Sequence, residues 1–385
     1  MAEDRNERMV AELVRRGAVA GESPIHAAFR SVRRHWFLPG TDLDEVYSDA
    51  AVVTHRSADG VPVSSSSQPT VMVRMLQQLS VGPGHKVLEV GTGTGYNAAL
   101  LGTLVGPRGS VTTVDVDPGI CEAARVNLRA RGISNVSVVA GDGWSGVGGP
   151  GPFDRIQATV GVCDLSTEWI ANLEEDGVLV APLWLRAGLQ ASVAFRRTQG
   201  GLESTSVEPC AFMRLRGVGA GDPTYMQVGA WTVSFERPDP EKAALLAQLL
   251  EGAPTSTKAA PALHPGWFTP LALRQPDALS LFSASPGGPL VCCGILDAPA
   301  RSLAVVTSGS NGASEVQVFG GEQAGRRLLD LVRSEAPVDV SSLTITAVPA
   351  GGIVEGRVGA MARLTRNNFT FLLSEDGVDC ERTFV

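Results

Sequence analysis

Apolar and polar positions follow two rhythms along this chain. Between residues 5 and 17, Met9, Val10, Leu13 and Val14 recur at helical spacing, and residues 24–34 continue as a second short helix with Pro24 in its first turn. The segment TVMVRMLQQL, 70–79, is again amphipathic, with Ser67 or a nearby polar group expected as its cap, and Pro83-Gly84 turns the chain out of it. From Val87 the rhythm changes. Short apolar runs at 87–90, 111–114, 136–139, 156–160 and 177–182 alternate with helical stretches opening near 97, 118 and 166. Residues 190–196 and 203–214 read as a closing antiparallel pair. This alternation predicts an α/β fold: a doubly wound sheet preceded by N-terminal helices.

After residue 217 the composition shifts. GVGAGDP reads as a joint and APTSTKAAPALHPG as a second loop-like stretch. Strands are expected at 231–235, 290–295, 303–306, 316–319, 343–348 and 369–373, and helices at 240–250 and 322–334. We therefore expect two domains, 1–217 and a C-terminal α+β domain over 218–385, the latter without a catalytic motif.

Chemistry concentrates in VLEVGTGTGYNAALL, 87–101. An apolar strand run is followed at once by Gly91, Gly93 and Gly95 and a helix start, which lets backbone approach a bound ligand. About twenty residues on, the next strand ends in Asp115-Val116, where an open α/β sheet places the acid for a ribose. The third strand leads into Gly141-Asp142-Gly143, and Thr159 follows the fourth, all at the same carboxyl edge. GTGTGY lacks the G-x-G-x-x-G spacing of a pyrophosphate loop, and Glu89 just before it would repel a phosphate. S-adenosylmethionine carries a sulfonium and an ammonium and no phosphate, so nearby carboxylates suit it. The E-x-G-x-G-x-G pattern resembles the first motif of the class I methyltransferases.

Composition narrows the remaining classes. With 385 residues, 44% hydrophobic and 19% charged, the chain reads as an ordinary soluble globular protein. A net charge of −8 argues against nucleic acid as the main partner. Six cysteines without Cys-x-x-Cys spacing and five scattered histidines give no metal site and read as thiols in a reducing compartment. The charged N-terminus lacks the apolar core of a signal peptide and no apolar run reaches membrane-spanning length, so a cytoplasmic protein with no membrane partner is expected.

Further motifs point to one family. RRHWFLPG, VYSDAAV, SSSSQPTVMVRML, VLEVGTGTGYNAALLG, NVSVVAGDGWSG, PFDRIQATVG, GVLVAPL and VEPCAFMRLRG, in this order over about residues 25–217, resemble the protein-L-isoaspartate O-methyltransferase family. The resemblance implies S-adenosylmethionine as cofactor and a peptide carboxylate at an aspartyl site as acceptor. It implies Ser67 as the active-site serine, with Ser66, Gln68, Val160 and Arg214 toward the substrate. Around the cofactor it implies Glu89, Gly91, Thr92, Gly93, Gly95, Asp115, Val116, Gly141, Asp142, Gly143 and Thr159. Four serines, 64–67, stand where the family usually has Thr-Ile-Ser, and they read either as an altered active-site loop or as flexible polyserine. Asp117, before Pro118, reads as a helix cap beside Asp115. Arg214 and Arg216 either meet a substrate carboxylate or lie on a solvated edge strand, and Trp36 reads as a packing anchor.

The ordinary family member ends near VEPCAFMRLRG. C-terminally extended relatives resemble this chain in length and tailor ribosomally made peptides, lanthipeptides among them. The extension and the serine run together lead us to expect methylation of one aspartate in a constrained precursor peptide gripped by the C-terminal domain, giving an ester that can close to a succinimide and open to isoaspartate. The alternative is general repair of isoaspartyl damage.

Overall fold

The computed structural model describes residues 2–375 except 59, 147–150, 222–224, 236–238, 261–262, 264, 286–287, 309–313 and 353–359. Cys380 lies outside the described residues, as do parts of the GVGAGDP and APTSTKAAPALHPG segments. The chain opens with α1 (Ala2–Arg15), α2 (Pro24–Ser31) and α3 (Leu43–Val46), a hairpin of β1 (Val52–Arg56) and β2 (Pro62–Ser66), and α4 (Pro69–Leu79). Alternation follows: β3 (Lys86–Val90), α5 (Tyr96–Val105), β4 (Ser110–Asp115), α6 (Pro118–Arg129), β5 (Val136–Ala140), β6 (Phe153–Ala158), α7 (Thr167–Ala171), β7 (Leu173–Trp184), β8 (Gln190–Thr198) and β9 (Gly201–Pro209).

Strands β5-β4-β3-β6-β7 are parallel in that order, β8 adds antiparallel to β7, and β9 antiparallel to β8. The order reverses between β3 and β6, which opens the crevice where ligands of doubly wound sheets bind. The period-two alternation of β3 divides the core. Leu88 and Val90 face Ile156, Leu179 and Trp169, whereas Val87 faces the layer of α1, α2, α4 and α5. This is the class I methyltransferase fold with N-terminal helices and an additional C-terminal sheet.

Several boundaries differ from the pattern in the sequence. Helix α7 ends at Ala171, so Leu173 already belongs to β7, and β9 stops at Pro209, leaving Cys210 to Arg216 to cross the carboxyl edge. Helix α4 carries no side-chain cap of its own at Gln68. Asp49 serves instead: Oδ1 accepts from the Thr70 N–H at 2.9 Å and Oδ2 from the Thr70 hydroxyl at 2.8 Å. A cap supplied from nineteen residues upstream of Gln68 leaves no local signature.

The C-terminal part contains β10 (Tyr225–Val228), β11 (Trp231–Ser234), α8 (Pro240–Leu250), β12 (Ser256–Ala259), α9 (Phe268–Arg274), β13 (Ala278–Ser285), β14 (Gly288–Asp297), β15 (Ser302–Ser308), β16 (Ser314–Gly320), α10 (Gln323–Ser334), β17 (Leu343–Pro349), β18 (Ala362–Thr365) and β19 (Phe369–Glu375). Strands β10 to β16 form a seven-stranded antiparallel sheet in the order β10-β11-β13-β14-β15-β16-β12. Leu328 and Leu329 of α10 with Leu271 of α9 cover one face, and Leu245 and Leu246 of α8 the other. Strand β12 falls inside the stretch expected to be a loop, because Ser256 to Ala259 pair with Glu315 to Val318 and gain no apolar pattern from doing so.

The expected cut at 217 does not divide the two sheets. Residues 225–320 make the second sheet, but β17 pairs with β9, and β19 and β18 follow, so the last strands extend the first sheet to ten. Ile345, Ala347, Phe371 and Leu373 share one core with Val193, Phe195, Leu202 and Trp169. At the junction Gly201 is indispensable: a Cβ there would sit 2.2 Å from the Ala347 carbonyl oxygen. Truncating the fully buried Ile345 to alanine is expected to cost about 2–5 kcal/mol in denaturant titration and to loosen amide-exchange protection in β9, not only in β17.

Candidate functional site

The carboxyl ends of β3, β4 and β6 open into a cavity of about 260 Å³. Its wall brings together Gly91, Thr92, Gly93, Asp115, Val116, Gly143, Thr159, Val160, Ser66, Ser67, Gln68 and Arg214 of the residues expected from sequence. Gly91, at φ +105°, would place a Cβ 2.5 Å from Thr159 Oγ1, so the tight turn out of β3 has no room for a side chain. The Thr159 hydroxyl donates to the Gly91 carbonyl at 2.7 Å and thereby joins the ends of β3 and β6.

Glu89, Gly95, Gly141 and Asp142 are not part of that wall. Glu89 is wholly buried behind it, accepting from Asn97 Nδ2 at 2.7 Å and from the Thr113 hydroxyl at 2.5 Å. Burial pushes its carboxyl up to about 7 against the opposing effect of those two hydrogen bonds, and the nearby Asp115 adds to the rise. Asn97 also donates to Gln157 Oε1 at 3.0 Å, and Asn97 and Gln157 both line the cavity. Thr92 Oγ1 lies 2.8 Å from Thr113 Oγ1. Glu89 therefore acts on the cavity through Asn97, Gln157 and Thr92, two polar wall residues of which, Asn97 and Gln157, sequence reasoning missed. Asn97 is the second residue of α5, beside the glycines, a signal that was available; Gln157 on β6 gave none.

Asp115 presents its carboxylate at the cavity edge, with Oδ2 accepting from the Gly93 N–H at 3.2 Å. Asp117 is a helix cap: its Oδ1 accepts from the N–H groups of Gly119 and Ile120 at 2.9 and 3.2 Å. Arg216 reaches both acids, 3.5 Å from Asp115 and 3.9 Å from Asp117. Asp142 is turned to backbone, accepting from the N–H groups of Trp144 at 2.9 Å and Val218 at 2.7 Å. It fastens the 217–221 turn over Trp144, so the residue of that segment that reaches the cavity is Gly143. Gly95 packs against Ala124 of α6.

The serine run is ordered. Ser64 to Ser66 belong to β2, paired with β1, and the Ser64 hydroxyl accepts from Thr54 Oγ1 at 3.2 Å. The Ser65 carbonyl lies 3.6 Å from where a Cβ of Gly93 would be, so the serine and glycine loops meet at one edge of the cavity. Arg34, 0% exposed, holds this loop: its guanidinium donates to the carbonyls of Val46, Ser48, Ala50, Ser66 and Ser67 at 2.9, 3.2, 3.0, 3.1 and 2.9 Å. Burial holds its pKa below the usual arginine value. Asp49 adds a second tie, accepting from Gln68 Nε2 at 3.2 Å. Burial would raise the Asp49 carboxyl, but the donors Thr70 and Gln68 and nearby Arg16 hold it below the usual range. Arg34 and Asp49 lie in RRHWFLPG and VYSDAAV, segments that carried the resemblance, but neither residue was expected to act at the site.

Residues 211–216 form the opposite wall. Gly161 donates to the Met213 carbonyl at 2.7 Å and accepts from the Leu215 N–H at 2.8 Å, and the buried Gln190 side chain brackets the Phe212 backbone from both sides. The Arg214 guanidinium is turned to the Ala220 carbonyl, with Nε at 2.7 Å, rather than presented squarely to the cavity. Trp36 is packed between the guanidinium groups of Arg33 and Arg131, 5.8 and 4.9 Å from its ring.

The residues suit a cofactor with a cationic sulfur. Asp115 is the acid of the wall, Val90, Val114 and Val116 supply apolar faces, and Gly143 packs so closely on Val90 and Val114 that a Cβ would be 2.8 Å from each. Among the described wall residues the arginines are Arg214 and Arg216, and both are engaged by protein groups.

Comparison with known proteins agrees. The family model of protein-L-isoaspartate(D-aspartate) O-methyltransferase matches residues 4–219. A protein-L-isoaspartate O-methyltransferase of Koribacter versatilis is 33% identical over 211 residues, 54% of this chain and 90% of its own. One of Thermotoga maritima is 39% identical over 163 residues, 42% of this chain and 51%, about half, of that protein. A solved structure titled protein-L-isoaspartate O-methyltransferase shares the fold over 96% of this chain and 99% of its own, with a TM-score of 0.54 and 22% identity.

Glu89 yields a test of the buried network. The folded protein keeps the proton to about 7 while the unfolded chain releases it near 4.5, so stability falls as pH rises across that window and levels off above it. Glu89→Gln, neutral throughout, is expected to flatten that stretch of the stability profile measured by denaturant titration at stepped pH.

Proposed function

Since the chain belongs to the protein-L-isoaspartate O-methyltransferase family and is an S-adenosylmethionine-dependent methyltransferase, we propose that it methylates the free carboxylate of isoaspartyl residues in peptides or proteins. The observation that carries this reading is the meeting of the Ser66–Ser67–Gln68 loop with Gly93 and Asp115 in one cavity. S-adenosylmethionine supplies a methyl group activated on a cationic sulfur. A carboxylate, with a reference pKa of about 4, is already ionised at neutral pH and needs no general base. What this chain contributes is position, which is worth up to about 7–11 kcal/mol when the reacting atoms are held in line.

In this reading Asp115 takes the ribose hydroxyls, and Val116 and Gly143 flank the adenine. Gly91, Thr92 and Gly93 admit the amino-acid end to the backbone, with Thr159 closing the turn. Glu89 serves by orienting Asn97 and Thr113, and Asp142 by tying down the turn behind Gly143. Ser67 and Gln68, fixed through Arg34 and Asp49, hold the acceptor carboxylate, and Val160 shapes the wall beside it.

A narrower reading is one aspartate of a constrained, ribosomally made precursor peptide. The departure at Ser64–Ser67 favours it. The extension does not separate the two, because a fold of this extent also occurs in the solved structure of the same family title. Deleting everything after 217 is a poor discriminator as well, since it would strip β17, β18 and β19 from the first sheet.

Labelled S-adenosylmethionine offered with isoaspartyl peptides, matched aspartyl peptides and a cyclised aspartyl peptide decides. Methyl ester on the isoaspartyl set supports the proposal; transfer confined to the cyclised aspartyl peptide would move it to the narrower reading, and transfer to none would overturn both. In the same assay Ser67→Ala is expected to lower kcat about 100-fold with cofactor affinity unchanged. Asp115→Ala is expected to weaken S-adenosylhomocysteine binding about 10- to 100-fold by calorimetry.

A further inference from the structure

The loop that leaves β6 forms cavity wall at Thr159 and Val160 and then runs through Gly161 to Asp164. Its first half is fixed by pairing: Val162 donates to the Pro182 carbonyl and accepts from the Trp184 N–H, each at 2.8 Å. Its second half is fixed differently. Asp164, 8% exposed, accepts from the Leu165 N–H at 2.9 Å on Oδ1 and from the Asn368 N–H at 2.6 Å on Oδ2. Asn368 reciprocates with its Nδ2 on the Leu165 carbonyl at 2.9 Å, and Arg366 donates to the Leu185 carbonyl at 3.1 Å. The turn between β18 and β19 is thus fastened to the loop after β6 and to the end of β7, although it lies far beyond residues 4–219.

Between the wall and the clamp stands Cys163, whose Sγ is 3.9 Å from Arg214 Nη2. Arg214 lines the cavity, so the clamp sets the position of a residue packed against the substrate side of the wall. The backbone N–H groups of Leu165, Asn368 and Phe369 converge on Asp164, and the two oxygens of a carboxylate accept from all of them. An asparagine keeps one acceptor oxygen and turns an NH2 toward N–H groups that need an acceptor.

We propose that Asp164 is a positioning residue for the peptide, through which the C-terminal turn at Arg366 to Asn368 holds the wall of the methyltransferase cavity in place. The final strands are then part of the substrate site rather than an appended unit. The inference rests on the carboxyl-methylation reading above.

Asp164→Asn and Asn368→Ala test it, using the full chain. Asp164→Asn is expected to raise the isoaspartyl-peptide KM about tenfold with kcat and S-adenosylhomocysteine affinity preserved, and Asn368→Ala to shift KM in the same direction by less. Amide exchange in 159–165 and 213–216 is expected to quicken in both variants, while exchange in the Gly91–Gly95 turn stays as in the wild type. A lowered Tm with unchanged peptide KM and unchanged exchange in 159–165 would reduce Asp164 to a stabilising contact and overturn the proposal. Cofactor affinity falling in step with KM would overturn it too. If Asp164→Asn does not fold, Asn368→Ala is read on the same measurements. A wild-type protein that methylates no isoaspartyl peptide defeats the functional reading, and the exchange comparison then decides the clamp by itself.

Discussion

A single buried guanidinium organises the serine-loop side of the cavity. Among the described residues Arg34 makes no ion pair; it donates to five carbonyls drawn from residues 46–50 and 66–67 and, through Nε, to the Ser66 hydroxyl at 3.4 Å. A buried cation left short of partners is costly, so the three segments that meet at Arg34 are fixed relative to one another. The planar fork supplies five donors in set directions, which a lysine ammonium with three cannot reproduce. Because Ser66 and Ser67 are two of the acceptors, the serine loop is held rigidly beside Gly93 even though its own sequence, four serines, has no apolar anchor.

The glycine-loop side is organised by a buried acid. Glu89 lies on a strand buried on both faces, so its carboxylate turns to Asn97 and Thr113, and through them to the residues that form the surface of the cavity. Its contribution is a set of oriented amides and hydroxyls, not a bare negative charge beside the ligand. Asp115 is the acid that reaches the edge, and Arg216, bridging it to Asp117, restrains it there. Asp142 resembles Glu89 in acting from behind, by anchoring the turn that carries Gly143.

The C-terminal part joins two roles. Residues 225–320 build a sheet with its own cores on both faces, held to the rest where the Ser280 hydroxyl donates to the Ala187 carbonyl in the β7–β8 turn. Residues 343–375 return to the first sheet because β9 would otherwise be an unpaired edge and because Ile345, Ala347 and Phe371 complete the layer over Phe195 and Leu202. A region matched by the family and a region beyond it thereby share one hydrophobic core.

The sequence by itself determined the parallel sheet, the glycine turn, Asp115 at the strand end and the cap role of Asp117, because each is set by neighbours within a few residues or by the period of the apolar pattern. Tertiary structure decided the rest. Asp49 caps a helix from a distant loop, Glu89 and Asp142 are turned inward by what packs on them, Arg34 gathers carbonyls from separate segments, and β17 to β19 return across more than a hundred residues to β9. In each case the deciding partner is remote in the chain, and hydrogen-bond satisfaction and apolar burial act between atoms in space without leaving a local periodicity to read.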